Sequence, residues 1–347
     1  MTLKELAKAT GYSIATISRV LNDDMSLRVS DDTKMKIKTI AEASGYRPAR
    51  QKEQKKREER SGTARSAIGI IEMLDIQMQL KDPYYMYLKG FVEQACFDQK
   101  AVTAKLQYDD AKQTYVNLNT QKLDGIIAIG RFTEKEISSM ETISSNLVFL
   151  DSSPCDGVHS SVLPDLSLGV RQGIDYLTEM GHRRICFAGP AFSPNSCGQP
   201  EPETRRSTFA QYMKKKGLSG EMSFLECERS TESAVEAVNT ILDSSSPLPS
   251  VYFAVNESVA LGLLKALEEH GHKVPEDISI LSYNNTVFSA FITPPLSSIS
   301  LNIEHMAKIS VDLVLSQART DASYPVKILA ASSVAKRDSV ACLTEIQ

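Results

Sequence analysis

From Ala67 to Ser282, short apolar runs alternate with amphipathic helical segments, and this alternation narrows the fold more than any other feature. The runs Ala67–Met73, Gly125–Ile129, Leu147–Leu150, Ile185–Gly189, Phe224–Leu225, Val251–Val255 and Ile278–Ser282 read as strands. Between and after them, Tyr84–Phe97, Glu134–Met140, Leu168–Met180, Arg205–Lys216, Glu232–Leu242 and Ser258–His270 carry helical spacing. A chain that alternates in this way builds parallel sheets joined by right-handed helical crossovers. At 347 residues it is long enough for two such units plus a small extra domain. Glu179-Met180-Gly181-His182 and Glu269-His270-Gly271-His272 both end a helix shortly before a strand. Two doubly wound lobes are therefore expected, rather than one very wide sheet.

The first 45 residues follow a different rule. Thr2-Leu3-Lys4-Glu5 is a capping box, and Gly11 ends the helix it starts. Ser13 caps a second helix, with Ile14, Ile17, Val20 and Leu21 at spacings of three and four. Ser30 caps a third, which carries Ile37, Ile40 and Ala41 and stops at Gly45. Three short helices, the first two joined by a tight glycine turn, make a helix-turn-helix domain. If Ile17, Val20 and Leu21 face inward, Ile14 and Ala15 face outward at the helix tip, where apolar groups suit thymine methyls. Arg19, one turn on, forks onto guanine or clamps a phosphate. Thr2, Ser13, Thr16, Ser18 and Asn22 offer short polar groups to phosphate oxygens, and Leu3 completes the contact set. Local packing of Ile14 on Leu3, and a capping role alone for Ser13, are the plainer alternatives.

Charge supports this division. Residues 1–60 hold 14 basic and 9 acidic residues, a net of +5, whereas the remainder is at −9. A basic head on an acidic body is what a phosphate-binding module on a soluble sensor would show. Residues 50–60 carry nine charges and no apolar side chain, so they form a linker whose Arg50, Lys52 and Lys55 are placed to meet DNA phosphates. The expected organisation is a head over 1–48, a linker over 49–65 and a two-lobed body over 66–347. The amino lobe is expected at about 66–163 and 296–322, and the carboxy lobe at about 164–295 and 323–347.

Other function classes find little support. No Gly-x-Gly-x-x-Gly, phosphate loop or Gly-x-Ser-x-Gly elbow is present. The five histidines lack metal-ligand spacing; His270 and His272 fit a helix-end cap, and no metal or cofactor is expected. Six scattered cysteines without a Cys-x-x-Cys pair suggest reduced thiols, and the opening residues lack a secretory pattern, so a cytoplasmic location is expected. Ile278 to Ile303 is uncharged, but Asn284-Asn285, Pro294-Pro295 and its serines make it a strand, a loop and a second strand, not a membrane span. A sugar receptor without DNA function and an enzyme on the same fold are the rival readings. The basic head argues against the first and the missing catalytic constellation against the second.

The segment TLKELAKATGYSIATISRVLN resembles the amino-terminal signature of the LacI/GalR family of bacterial repressors. The likeness continues through DPYY at 82–85, KLDGIIAIG at 122–130, FLDSS at 149–153, DLSLGVRQGIDYLTEMGHRRICFAG at 165–189, FAVNESVALGLLKAL at 253–267, VPEDISILSYNN at 274–285 and TPPLSSI at 293–299. Within that family, LNDDMSLRV and DPYY are similar to galactose and β-galactoside repressors. The resemblance implies a homodimer on double-stranded operator DNA, with a small sugar held between two lobes like those of periplasmic sugar receptors. It implies that Asp151, at the end of an amino-lobe strand, and Arg205 grip sugar hydroxyls, and that Asn256 and Asn284 are ligand positions of the carboxy lobe. Polar groups at the carboxyl ends of parallel strands point into the crevice where ligands bind, which agrees. Tyr84 and Tyr85 either supply an aromatic face or pack in the core of their helix. No leucine heptad follows Ser339, so a dimer is expected rather than a tetramer. A regulator that answers to a protein co-repressor is the alternative within the family.

Two positions depart from the family pattern. Tyr283-Asn284-Asn285 stands where a Tyr-Asp-Asp sequence is usual, which exchanges a charge-assisted bond for a neutral one weaker by roughly 1–2 kcal/mol. In the linker, Tyr46-Arg47-Pro48-Ala49 leads to Gln51, Lys52 and Lys55, with no leucine to wedge into the minor groove. Lysine can hold phosphates but cannot unstack a base step. The operator should therefore bend less than is usual for the family; a circular-permutation bending assay showing a sharp central kink would contradict this.

Overall fold

The computed structural model describes residues 7–8, 10–21, 29, 31–43 and 65–343, apart from 74–82, 119–121, 155, 196–198, 244–246 and 321–323. The chain divides into two compact units, Met1–Arg65 and Ser66–Gln347.

In the first unit, α1 (Ile14–Leu21) and α2 (Asp31–Ala43) pack on one another. Gly11 takes φ +77°, and its amide reaches Ala7 O at 3.0 Å, ending the preceding helical turn as the sequence predicts. Ser13 Oγ accepts the Thr16 amide at 3.1 Å and so caps α1. Ile17, Val20, Ile37 and Ala41 form the buried core, with Tyr12, Leu21, Val29 and Ile40 around it. The first capping box, the Ser30 cap, Thr2, Leu3, Asn22 and the linker residues Arg50, Lys52 and Lys55 lie outside the described residues.

The second unit contains two large sheets. The first is built from β1 (Ala67–Glu72), β2 (Val102–Asp109), β3 (Thr114–Asn117), β4 (Gly125–Ile129), β5 (Leu147–Leu150), β6 (Ser160–Pro164) and β14 (Lys327–Ala330), in the order β14-β6-β5-β4-β1-β2-β3. All pairs are parallel except the β2–β3 edge hairpin. The second uses β7 (Ile185–Ala188), β10 (Met222–Leu225), β11 (Val251–Ala254), β12 (Ser279–Asn284), β13 (Ser297–Ser300) and β15 (Ser333–Ala335), in the order β10-β7-β11-β12-β13-β15. Only β13–β15 is antiparallel there. Strands β4, β5, β7 and β11 are buried at every position, because helices cover both faces of a parallel sheet; hence their unbroken apolar runs. Strand β2, next to the edge strand β3, has exposed as well as buried positions instead.

Around the first sheet lie α3 (Tyr84–Asp98), α4 (Glu134–Ile143) and α10 (Ile303–Arg319); α10 packs on α3, β4, β5 and β6. The second lobe holds α5 (Leu166–Glu179), α6 (Thr204–Lys215), α7 (Thr231–Leu242), α8 (Glu257–Glu269) and the short α9 (Phe288–Phe291). His270 closes α8 with its ring on Ala266 O at 2.9 Å, the cap expected of it. A separate hairpin, β8 (Phe192–Pro194) with β9 (Pro200–Pro202), stands outside both large sheets.

The chain passes between lobes three times, after β6, after β13 and after β14. The last two passages fall later than the sequence analysis put them. The run at Leu296–Ile299 extends the carboxy sheet beside β12, so the return begins near Leu301 rather than at 296. Residues 327–330 belong to the amino sheet beside β6, not to the carboxy lobe. The three passages are tied side by side: Asp165 N donates to Ala330 O at 2.8 Å, Ser332 Oγ to Asp165 O at 2.9 Å and Asn302 Nδ2 to Ala331 O at 2.8 Å.

Close packing in the carboxy lobe can be tested at Gly169. A Cβ there would lie 2.4 Å from the hydroxyl of Tyr283, a fully buried ring whose OH donates to Leu166 O at 2.7 Å. Gly169→Ala should lower stability by about 1–3 kcal/mol, read as a drop in the denaturation midpoint of the body; an unchanged midpoint would contradict this packing.

Candidate functional site

Helix α1 separates its side chains as the sequence reading requires. Ile17 and Val20 are buried, whereas Ile14, at 42% exposure, Ala15 and Arg19 lie on the open side. Ser13 Oγ and Thr16 Oγ1 sit 2.9 Å apart at the amino end, and Thr16 and Ser18 are half-buried. The helix tip therefore offers an apolar pair, a hydroxyl pair and a guanidinium without disturbing the core beneath.

The body carries a cleft of about 840 Å³ between its lobes. Its walls are made where strands end and helices begin. Asp151 follows β5 and has φ +69°, which turns the chain sharply out of the strand. Asn284 ends β12 at φ +90°. Asn256 follows β11 and caps α8, its Oδ1 accepting the Val259 amide at 3.0 Å. Asp151, Arg205, Asn256, Asn284, Tyr84 and Tyr85 all line this one cleft.

Their partners show what each can do. Tyr84 Oη donates to Asp151 Oδ1 at 3.0 Å, and Tyr85 Oη to Oδ2 at 2.8 Å. Tyr84 is buried in the core with its ring edge-on to Tyr85, 5.0 Å between centroids, so its ring belongs to core packing and its hydroxyl orients the carboxylate. Burial pushes the Asp151 carboxyl above its ordinary range, against the pull of the two phenols and of Arg131 and Arg205. Arg205 is only 9% exposed: Nε donates to Glu203 Oε1 at 2.9 Å, an Nη to Val255 O at 2.7 Å, and the guanidinium lies 5.3 Å from the Tyr283 ring centroid. It is a buried, oriented cation rather than a surface ion pair.

Sequence reasoning missed three charged groups here. Glu203 caps α6, accepting the Arg205 and Arg206 amides at 2.8 and 3.0 Å. Burial alone would raise its carboxyl, but Arg205, the Arg206 amide and Arg229 outweigh that and hold it below its usual range. Arg229 lies 3.5 Å from Glu203, and its buried Nε has no hydrogen-bond partner among the described residues; burial and the nearby charge of Arg205 lower its pKa. Arg131, just after β4, donates to Pro194 O in the β8–β9 hairpin. The only local signal was the run Glu201-Pro202-Glu203-Thr204-Arg205-Arg206, where an acid three residues ahead of a helical amide suits an N-cap. Acceptors at Asp151 and donors at Arg205, Arg229 and the two asparagine amides suit a neutral polyhydroxylated ligand, which needs both.

Asp151 also sets a pH dependence. A carboxyl whose folded pKa is raised binds protons more tightly in the native state, so its effect lowers stability as pH rises from its unfolded value to its folded one. The wild type should therefore lose stability relative to Asp151→Asn as pH rises through that window. Parallel urea titrations between pH 4 and 7 that show no change in this difference would contradict the assignment.

Residues 2–49 match the model for bacterial regulatory proteins of the lacI family, and residues 174–340 match a periplasmic binding protein-like domain. The HTH-type transcriptional regulator GanR of Bacillus subtilis (strain 168) is 32% identical over 92% of this chain and 93% of its own. Among solved structures, a lac repressor dimer bound to operator and an anti-inducer aligns with TM-score 0.64 at 22% identity, over 98% of this chain and 99% of that one. A complex of the transcriptional regulator CelR with cellobiose aligns with TM-score 0.62 at 20% identity, over the same shares. These two show a shared fold, and the identity to GanR across nearly both whole chains shows kinship. With a helix-turn-helix head and a two-lobed α/β body, this chain belongs to the LacI family of bacterial regulatory proteins.

Proposed function

We propose that this chain is a sequence-specific transcriptional repressor that works as a cytoplasmic homodimer and releases or tightens on operator DNA when a small sugar enters the body cleft. The observation that carries this is the split of α1, with Ile14, Ala15 and Arg19 outward over a core of Ile17 and Val20. A helix whose tip is apolar and cationic on its open side suits the major groove better than water. One such helix reads only a few base pairs, so two heads on a pseudo-palindrome are needed for adequate specificity. The apolar Val287, Phe288 and Phe291 on the body, Phe291 at 81% exposure, support a partner surface for a second copy. No helix among the described residues is long and apolar enough to cross a membrane.

The effector proposed is galactose or a β-galactoside. Its grip comes from Asp151, Arg205, Asn256 and Asn284, with Tyr84 and Tyr85 orienting Asp151. Because these residues come from both lobes, ligand binding favours one inter-lobe angle and so biases the DNA-competent state. A hundredfold change in operator affinity needs a coupling of about 2.7 kcal/mol.

Gel shifts on the chain's own upstream DNA test the proposal. Binding should be sequence-dependent and fall steeply with salt, and sugar should change it. Arg19→Ala should weaken binding about tenfold or more with the head still folded. Phe291→Asp should shift sedimentation towards monomer. Absence of sequence-dependent binding in every ligand state would overturn the proposal.

A further inference from the structure

The cleft is larger than the six grip residues account for, and it is already bridged. Arg131, at the end of β4 in the amino lobe, donates to Pro194 O at the end of β8 in the carboxy-lobe hairpin. The hairpin is firmly rooted. Glu203 N donates to Ala191 O at 2.9 Å, the Ala191 amide donates to Glu226 at 2.7 Å, and the loop is closed by Asn195 N on Gln199 O at 2.8 Å. Ser193, Asn195 and Glu201 of this hairpin line the cleft, and Glu203, directly after β9, holds Arg205. Since the lobes are joined on the hairpin side, the 840 Å³ is not simply the gap between separated lobes. One hexose, with twelve non-hydrogen atoms, fills only part of a cleft of this size. A site that buries most of its ligand would be left largely wet by a single ring.

Resting on the reading of the cleft as a sugar site, we propose that it selects a saccharide of two or more units over the corresponding monosaccharide. Arg131 is the specificity-determining residue and the β8–β9 hairpin is the wall that holds the second unit. The guanidinium presents a planar fork that can span adjacent hydroxyls. When it turns to the ligand, the Pro194 carbonyl is released to accept a sugar hydroxyl. Both groups keep hydrogen-bond partners, so exchanging the bridge for ligand leaves no buried polar atom unpaired. The charge of Arg131 also pulls on Asp151, so a monosaccharide seated there feels it only through that carboxylate, whereas a second unit exchanges hydrogen bonds with the guanidinium itself.

Calorimetry on the full chain tests this with galactose and glucose against lactose, cellobiose and β-1,4-galactobiose. The tightest disaccharide should bind at least tenfold more strongly than either monosaccharide. Arg131→Ala should weaken that disaccharide at least tenfold more than it weakens either monosaccharide, collapsing the ratio; Arg131→Lys, which keeps a charge near Asp151, should fall between. Ligand-free melting temperatures show whether each variant is folded, and the comparison of sugar lengths on the wild type stands without any variant. A monosaccharide binding as tightly as every disaccharide, or an Arg131→Ala loss shared equally by both lengths, overturns the proposal while leaving the sugar site intact. If none of the five sugars binds, the sugar reading of the cleft falls and takes this proposal with it.

Discussion

Burial of both faces of a parallel sheet is the constraint on which the body depends. Once helices cover β4, β5, β7 and β11 on each side, their side chains must be apolar, and polar chemistry is pushed to the strand ends. Asp151, Asn256 and Asn284 stand at those ends, and Arg131 follows β4 in the same way. Helices α4, α6, α7 and α8 begin nearby, at Thr133, Glu203, Ser230 and Asn256, each of which caps its helix with its own side chain. Capping and cleft-lining positions therefore fall in one place, and all four caps lie in both sets.

The cleft concentrates buried charge. Glu203 and Arg205 are both nearly buried, and such a pair recovers its desolvation only through good geometry and further hydrogen bonds. Here those further bonds exist: two amides on Glu203, the Val255 carbonyl on Arg205 and the Tyr283 ring beside it. The arrangement fixes the direction of a guanidinium that would otherwise sample many rotamers. Asp151 is held by the same logic, between two phenols supplied by consecutive residues of α3. Orientation of a few donors and acceptors is what discriminates one polyol from another, because hydroxyl groups differ in position far more than in strength.

The linked passages between lobes give the body a mechanical axis. Residues 164–166, 300–302 and 330–332 cross together and bond to one another, so the lobes can rotate about these strands while each sheet stays whole. Pro164, Leu166 and Leu301 from two of these passages also line the cleft. On the proposed reading of the cleft as an effector site, a ligand resting on them would touch the axis itself and so couple occupancy of the cleft to the inter-lobe angle.

The sequence alone determined the class of the molecule. Period-two and period-3.6 patterns are local, so the strand-helix alternation, the head helices, the outward side of α1 and the strand-end positions of Asp151, Asn256 and Asn284 were legible from neighbours along the chain. What only the tertiary structure decided are meetings between distant segments. Tyr84 and Tyr85 reach Asp151 across more than sixty residues, Arg131 reaches Pro194 over a similar span, and Arg229 approaches Glu203. The strand at 297–300 joined the carboxy sheet and that at 327–330 the amino sheet for the same reason. Which edge a short strand pairs with depends on the register and twist of a sheet already assembled, and no periodicity within the strand encodes it.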